Sequence, residues 1–159
     1  MRFKHHVLLF VFAAAAIATA WGEGRAKTEK DSNANELTLA GDAPADWFER
    51  FAAMPNVRKL TVRRPDLKVF KVGRLDELRQ LTSFCAEGFP LESPLAEAVA
   101  IKLAKVPGLR SVTFARTGLT DRGLARLKDS SITELTLKAE DFLTDDAFEH
   151  VAKMKALRT

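Results

Sequence analysis

A short apolar pattern, L-x-x-L-x-L, recurs five times along this 159-residue chain and constrains its fold more than any other feature. Its fourth position falls at residues 37, 60, 81, 112 and 135, so consecutive copies start 23, 21, 31 and 23 residues apart. A strand alternates its faces, so the fourth and sixth positions point to one side and predict core residues. One strand of this length cannot bury a core alone, so repeats of this period predict five parallel strands stacked as a solenoid. The predicted core residues are Leu37 and Leu39, Leu60 and Val62, Leu81, Val112 and Phe114, and Leu135 and Leu137.

The segments between the strands predict helices. Parallel strands need a crossover connection, and about 15 to 25 residues are available for each one. Ser93-Pro94, Thr120-Asp121 and Thr144-Asp145 are typical of helix starts. Pro55 and Pro107-Gly108 are typical of helix ends. The chain therefore predicts an α/β fold in which helices return the chain from one strand to the next.

The last two copies of the repeat match each other closely. The segment "LTDRGLARL" at 119–127 corresponds to "LTDDAFEHV" at 143–151. In each segment a threonine caps the helix, and an aspartate in the first turn complements the helix dipole. The apolar pairs of these two helices are predicted to face the strands: Leu124 with Leu127, and Phe148 with Val151.

These strand and helix patterns together resemble leucine-rich repeat proteins. The resemblance is strongest to bacterial members of the ribonuclease-inhibitor-like or cysteine-containing subclass, in which L-x-x-L-x-L precedes T-x-[IL]-T-D-x-G-L-x-x-L. Residues 109–127, "LRSVTFARTGLTDRGLARL", carry this form almost in full, and the resemblance covers residues 34–159. It implies short parallel strands on a concave side, helices on a convex side, and protein binding through the concave sheet.

Two features depart from that family. Its members have Asn or Cys at the ninth position, whereas this chain has Asp42, Pro65, Ala86, Thr117 and Glu140, of which Thr117 fits the bacterial variant. The second copy lacks the T-D signal, and the third is long and has Ser83 at its sixth position. We expect both copies to be irregular, with a loop or a distorted helix on the convex side.

The first 20 residues predict a secretory signal peptide. Arg2 and Lys4 form a basic start, residues 7–17 are an uncharged apolar run, and residues 18–20 are small. An uncleaved membrane anchor is the alternative, although the run of 15 residues at 7–21 is shorter than the roughly 20 that span a bilayer. The expected organisation is a signal peptide at 1–20, a flexible linker at 21–35 and a leucine-rich repeat domain at 36–159, in a secreted or periplasmic (cell-envelope) protein.

The last residues begin a further copy of the repeat. Residues 156–159, "ALRT", supply its first positions, and its strand would start at residue 160. We therefore expect the domain to be truncated at its C-terminus. The alternative is an open sheet edge that pairs with another chain and so forms an oligomer.

Few residues suit catalysis or metal binding. His5 and His6 lie in the predicted signal peptide, which leaves His150 and a single cysteine, Cys85. One histidine and one cysteine do not make a metal site, and the sequence has no phosphate loop or dinucleotide fingerprint. His150 is expected on an exposed helix face and Cys85 in the core, while a Cys–His nucleophile pair is an alternative without support. We therefore predict a non-enzymatic protein without a cofactor or metal.

Two sets of polar residues are candidates for partner binding. The fifth position is threonine in every copy of this alignment, namely Thr38, Thr61, Thr82, Thr113 and Thr136. The second position carries Asn35, Arg58, Arg79, Arg110, Thr133 and Arg158, with Lys59, Arg63, Arg64 and Arg116 close by in sequence. Threonine is also common in strands and charges cover inert surfaces, so a structural role is the alternative for both sets. The candidate partner-binding residues are Lys59, Thr61, Arg63, Arg79, Thr82, Arg110, Thr113, Arg116, Thr136 and Lys138.

The expected function is protein–protein interaction through the concave sheet, as the resemblance implies. Removal of the signal peptide leaves 23 basic and 21 acidic residues, and this net charge of +2 does not by itself favour a nucleic-acid partner. One alternative is binding of an anionic polymer, polysaccharide or nucleic acid, through an arginine-rich edge that offers bidentate contacts. Another is a non-functional fragment of a longer repeat protein.

Overall fold

The computed structural model describes residues 35–41, 43–68, 70, 72–91 and 93–158. The predicted signal peptide, the predicted linker except Asn35, and Asp42 lie outside these residues. The strands are β1 (Glu36–Leu39), β2 (Lys59–Arg63), β3 (Ser83–Glu87), β4 (Ser111–Ala115) and β5 (Glu134–Lys138). The helices are α1 (Trp47–Ala52), a 3₁₀ helix (Val72–Glu77), α2 (Leu95–Leu103), α3 (Asp121–Ala125) and α4 (Asp146–Ala152). Within this described part of the chain, no helix has the length and apolar character needed to cross a membrane.

The five strands form one parallel sheet in the order β1-β2-β3-β4-β5. A helix follows each strand along the chain, so the predicted α/β fold with parallel strands and helical returns is confirmed at this level. The register pairs Leu37 with Leu60 and Val112 with Leu135, as their shared fourth position predicts. Because sequential units lie side by side, this arrangement is compatible with a solenoid.

The third strand lies three residues further along the chain than the repeat alignment predicts. Leu60 pairs with Phe84, so Phe84 and not Leu81 occupies the fourth position. The predicted frame was wrong because it turned Ser83 toward the core, whereas the observed frame buries Phe84 and Ala86. Leu81 is also buried but takes the first position. The fourth positions therefore lie 23, 24, 28 and 23 residues apart, a more even period than the alignment indicated.

This shift changes the composition of two predicted columns. Cys85 replaces Thr82 at the fifth position, where it lies between Thr61 and Thr113. Thr82 moves to the second position, the place that Arg79 was predicted to fill. The predicted column of five threonines is therefore four threonines and a cysteine.

The return elements differ between the repeats. The second repeat returns through the short 3₁₀ helix, as expected for an irregular copy. The third repeat was also expected to be irregular, but it carries α2, which has nine residues and is the longest described helix. That expectation was wrong because this repeat has residues enough for a full helix. The Ser93 hydroxyl accepts a hydrogen bond from the Leu95 N–H at 3.2 Å where the helix begins.

The core lies between the sheet and the helices. In α3 and the turn after it, Leu124 and Leu127 are fully buried, as predicted. The matching residues of α4 are not, since Phe148 is 75% exposed and Val151 is half-buried. The prediction that Phe148 faces the strands was wrong. One side of α4 packs against α3, but no described element covers its other side, so Phe148 remains exposed.

Each of the last four strands ends in a left-handed turn at the eighth position of its repeat. The φ angles there are 43° at Arg64, 64° at Gly88, 53° at Arg116 and 50° at Ala139. The N–H groups of the first three donate to the seventh-position carbonyl oxygen of the next repeat, at 2.8 to 3.0 Å. The turn therefore leads the chain out of the sheet at the same point in each repeat. A residue with a Cβ carries a strain of about 1–2 kcal/mol in this conformation.

Candidate partner-binding surface

The helices cover one face of the sheet, and we call the opposite face the open face. It is formed by the third, fifth and seventh positions of the repeats, which alternate with the core positions. The third positions are Glu36, Lys59, Ser83, Ser111 and Glu134, the fifth positions are Thr38, Thr61, Cys85, Thr113 and Thr136, and the seventh positions include Arg63, Glu87, Ala115 and Lys138. The sheet therefore brings six of the ten candidate residues to one face. Of the other four, Thr82 and Arg110 precede strands, Arg116 follows one, and Arg79 lies in the turn after the 3₁₀ helix.

The centre of the open face is small and uncharged. On β3 and β4 the third and fifth positions are Ser83, Cys85, Ser111 and Thr113, all of them half-buried, and the seventh positions are Ala115 and the ion-paired Glu87. Side chains of this size leave the sheet surface accessible to a partner. Sequence reasoning named neither Ser83 nor Ser111 as a candidate, because it placed Ser83 on the core side and looked for columns of threonine and arginine rather than for small residues.

Charges on the open face are largely paired with each other. The Lys59 ammonium lies 3.1 Å from Glu36. The Glu87 carboxylate receives two guanidinium groups, from Arg63 at 3.1 Å and from Arg116 at 2.8 Å. The predicted concentration of free positive charge is therefore smaller than the residue list indicated, because acidic side chains of neighbouring strands neutralise part of it.

Thr61 is not available at the surface in the way the threonine column predicted. Its side chain is 3% exposed, and its hydroxyl donates a hydrogen bond to Glu36 at 2.8 Å. Burial alone would raise the pKa of the Glu36 carboxyl, but the hydrogen bonds from Thr61 and Lys59 outweigh it and lower the pKa. Glu36 thus remains an acceptor that holds Thr61 and Lys59 in place.

Cys85 and His150 lie on different sides of the sheet. Cys85 is at a fifth position and points to the open face, whereas His150 belongs to α4 on the helical face. Cys85 is half-buried rather than fully buried. Burial and the nearby Glu87 carboxylate raise the pKa of the Cys85 thiol, which disfavours the thiolate that a nucleophile requires. The sheet therefore does not bring these two residues together as a nucleophile pair.

A row of arginines follows the edge where the strands begin. Backbone hydrogen bonds of 2.8 Å join the second positions of successive repeats, and in each bond the N–H donates to the carbonyl oxygen of the residue one repeat earlier. The residues joined in this way are, in order, Asn35, Arg58, Thr82, Arg110, Thr133 and Arg158. The three arginines therefore alternate with threonines, about 9.6 Å apart, which is two strand spacings. All three arginines are exposed, and none forms an ion pair with another described residue.

Two carboxylates connect consecutive repeats, a role that the sequence did not assign to them. Glu140 accepts hydrogen bonds from the N–H groups of Thr117 and Leu119 and from the Thr117 hydroxyl, at 3.0 to 3.2 Å. Asp121 accepts from the Thr144 hydroxyl at 2.7 Å and from the Thr144 N–H at 3.0 Å. The signal for the second contact was the repeated T-D pair, which the sequence reasoning assigned to helix capping alone.

The described residues contain no group of three or more His, Cys, Asp or Glu side chains arranged to hold a metal ion. A small cavity of about 10 Å³ lies beside Trp47 and Phe70, at the first repeat. A volume of this size holds about one water molecule and no organic substrate. The open face and the arginine row are therefore the better candidates for a binding site.

Comparison with known protein families and curated proteins gives no indication of what this surface binds. No protein-family model matches the chain. No curated protein matches its sequence either.

Proposed function

We propose that this chain is a leucine-rich repeat protein of the bacterial T-D-x-G-L type, and that it binds another protein through the open face. The observation that carries the proposal is the distribution of charge on that face. The third and fifth positions of β3 and β4 are uncharged, and the carboxylate at the seventh position of β3, Glu87, is paired with Arg63 and Arg116, while arginines stand at both ends of the strands. Protein interfaces are depleted of charge at their centre and enriched in arginine relative to the rest of the surface.

The contacts of the motif residues support the leucine-rich repeat assignment. Thr120 caps α3, since its hydroxyl accepts from the Gly123 N–H at 3.3 Å. A Cβ at Gly123 would lie 2.7 Å from the Leu119 side chain, so glycine leaves room for this buried leucine of the preceding turn. Asp121 links its repeat to the next one through Thr144. Each motif position thus serves either the turn or the stacking of repeats.

The arginine row favours a second candidate, an anionic polymer. Arg58, Arg110 and Arg158 are exposed and evenly spaced, which suits a ligand with charges repeating about every 10 Å, twice the strand spacing. The arginine row would bind such a ligand through charge rather than shape, so the affinity would fall steeply as the salt concentration rises. Secretion or passage to the cell envelope, which the predicted signal peptide implies, is consistent with either ligand.

Site-specific photo-crosslinking tests the first proposal. A photoreactive amino acid replaces Thr113 on the open face or, as a control, exposed Arg126 just after α3, and envelope extract of expressing cells is illuminated with each variant. We expect a discrete protein adduct from position 113 that Ser111→Trp, which fills the centre of the face, abolishes. The same adducts from both positions, or adducts insensitive to the tryptophan, would contradict binding through the open face.

Salt elution from an anionic resin tests the second candidate. We expect the triple variant R58A/R110A/R158A to elute from a sulfated-polysaccharide resin at lower salt than K105A/K128A/K155A, a control that removes three exposed lysines. Equal elution of the two variants would show that net charge alone governs retention and would rule out the arginine row as a site.

A further inference from the structure

Three arginine side chains meet at the end of β3. Arg116, which follows β4, donates to the Glu87 carboxylate at 2.8 Å, and Arg63 of β2 lies 3.1 Å from the same carboxylate. Arg64 reaches the same place, because a Cβ on Gly88 would lie 3.0 Å from its Cγ and 3.7 Å from its Nε. The three guanidinium groups therefore approach the end of one strand from both of its neighbours.

The stacking of the repeats fixes this arrangement. Gly88 takes the eighth position of the third repeat, and Arg64 and Arg116 take that position in the repeats on either side. The Cα atoms of the two arginines are therefore about 9.6 Å apart, which is two strand spacings, with a glycine between them. The φ of 64° at Gly88 favours glycine, and the missing side chain leaves room for the stem of Arg64.

Positive charge exceeds negative charge at this strand end. Glu87 is a single carboxylate shared by two guanidinium groups, so three positive charges against one negative charge leave +2. Arg64 is exposed and forms no ion pair with another described residue. Two further carboxylates of these loops, Asp66 and Glu140, accept hydrogen bonds from backbone N–H groups instead. Like charges this close repel each other, and a bound anion would relieve the repulsion.

We propose that Arg63, Arg64 and Arg116, which we call the arginine cluster, bind a doubly charged tetrahedral oxyanion, a phosphate or sulfate group, beside Gly88. A guanidinium group suits this ligand because its N–H donors form a planar fork that contacts two oxygens at once. Two negative charges match the excess charge of the cluster. One Nη of Arg116 donates to Glu87, which leaves its other N–H groups for the ligand.

The arginine cluster differs from the arginine row at the opposite ends of the strands. In the row, Thr82 separates Arg58 from Arg110, and no contact within the described chain draws two guanidinium groups together. One oxyanion can therefore contact two arginines in the cluster but a single arginine in the row. The proposal also does not require a protein partner, so cross-linking from position 113 and an anion titration test the two ideas separately.

Isothermal titration calorimetry of the full chain with inorganic phosphate or sulfate tests the site. With the ionic strength held constant by sodium chloride, we expect saturable binding of one anion per chain. The double variant R64A/R116A should weaken this binding by about tenfold or more, since it removes charge-assisted hydrogen bonds. The control K105A/R126A removes the same charge from exposed residues just after α2 and α3, and it should bind like the wild type.

Two results of this titration would overturn the proposal. One is the absence of saturable binding to the wild-type chain. The other is equal weakening in the two double variants, which would show that net charge alone attracts the anion. Circular dichroism of both variants checks that each is folded.

Nuclear magnetic resonance locates the bound anion. On addition of phosphate we expect shifts of the Gly88 amide and of the Arg64 and Arg116 Nε–H signals, with the Nε–H signals of Arg58 and Arg110 unchanged. Equal shifts at both ends of the strands would contradict a defined site.

Lysine at position 64 separates charge from geometry. R64K keeps the positive charge but loses the planar fork, so its affinity should fall between those of the wild type and R64A. An R64K variant that binds as tightly as the wild type would contradict the guanidinium contact.

Phenyl phosphate distinguishes a free anion from a phosphate group on a larger ligand, since both present the same chemistry to the cluster. Comparable affinities for phenyl phosphate and inorganic phosphate would support a site for a phosphate ester. Binding of inorganic phosphate alone would support a site for the free anion. Binding of neither that depends on Arg64 and Arg116 would overturn the proposal.

Discussion

Glu140 supplies the sharpest test of how the repeats are held together. Its carboxylate lies in the fifth repeat but accepts hydrogen bonds from the loop of the fourth, at the N–H groups of Thr117 and Leu119 and at the Thr117 hydroxyl. Thr117 and Leu119 are both fully buried. The variant E140A therefore leaves two buried backbone donors and a hydroxyl without an acceptor.

The expected loss of stability follows from those three donors. A buried donor left without a partner costs about 1–3 kcal/mol, and water reaching the partly exposed site of Glu140 lowers that cost. We expect E140A to reduce the free energy of unfolding by about 3 kcal/mol. E140Q retains one acceptor oxygen and should lose about 1–2 kcal/mol on the same scale. A domain of this size has a total stability of about 5–15 kcal/mol, so the first loss is a large share of it.

Urea unfolding followed by far-ultraviolet circular dichroism measures these differences. The matched control is D141A, which removes the next carboxylate, an exposed one without a hydrogen bond to another described residue. The variant T117V and the double variant E140A/T117V complete a thermodynamic cycle that isolates the hydroxyl contact. A free energy of unfolding for E140A within about 0.5 kcal/mol of that for D141A would refute the reasoning, because leaving buried donors unpaired destabilises a fold by more than that.

Three further variants and one control test the turns and the second inter-repeat contact. Ala139→Gly relieves a left-handed residue (φ 50°) and should raise the urea midpoint, a gain of about 0.5 kcal/mol after the entropy cost of glycine; a lower midpoint would contradict the strain. Gly118→Ala should destabilise by about 2 kcal/mol, since φ is 70° and the new Cβ lies 2.9 Å from a backbone oxygen, whereas Gly73→Ala, whose Cβ meets nothing within 4 Å, should be close to neutral. The hydrogen bonds from the Thr144 hydroxyl and N–H lower the pKa of Asp121, so its stabilising contribution is present above the ordinary value near 3.8 and is lost as pH falls through the lowered pKa. The stability advantage of the wild type over D121N should therefore shrink between about pH 5 and pH 2, and an advantage independent of pH would contradict the contact.

Much of the fold was predictable because its signal is local. The alternation in "LTL", "LTV", "VTF" and "LTL" identifies four of the five strands in their correct register. The third strand failed because "LTSFCA" at 81–86 contains two overlapping frames, and the more leucine-like frame is the wrong one. The choice between them depends on which side chains the neighbouring strands and helices bury, and that information is not in the six residues themselves.

The candidate surface was predictable as a location and not as a set of contacts. The open face follows from strand alternation, so Thr113 and Lys138 could be assigned to it from spacing alone. The pairing of Glu87 with Arg63 and Arg116 could not, since those residues lie 24 and 29 positions away and meet only when the strands are in register. The same holds for Glu140 and Asp121, whose acceptors and donors belong to different repeats.

The amino-acid order alone thus establishes that short strands and capped helices alternate, because those signals act within one or two turns of the chain. The stacked fold establishes which polar side chains remain free and which donors depend on Glu140. These properties depend on distances between residues about 20 to 30 positions apart, and only the lateral pairing of consecutive strands determines them.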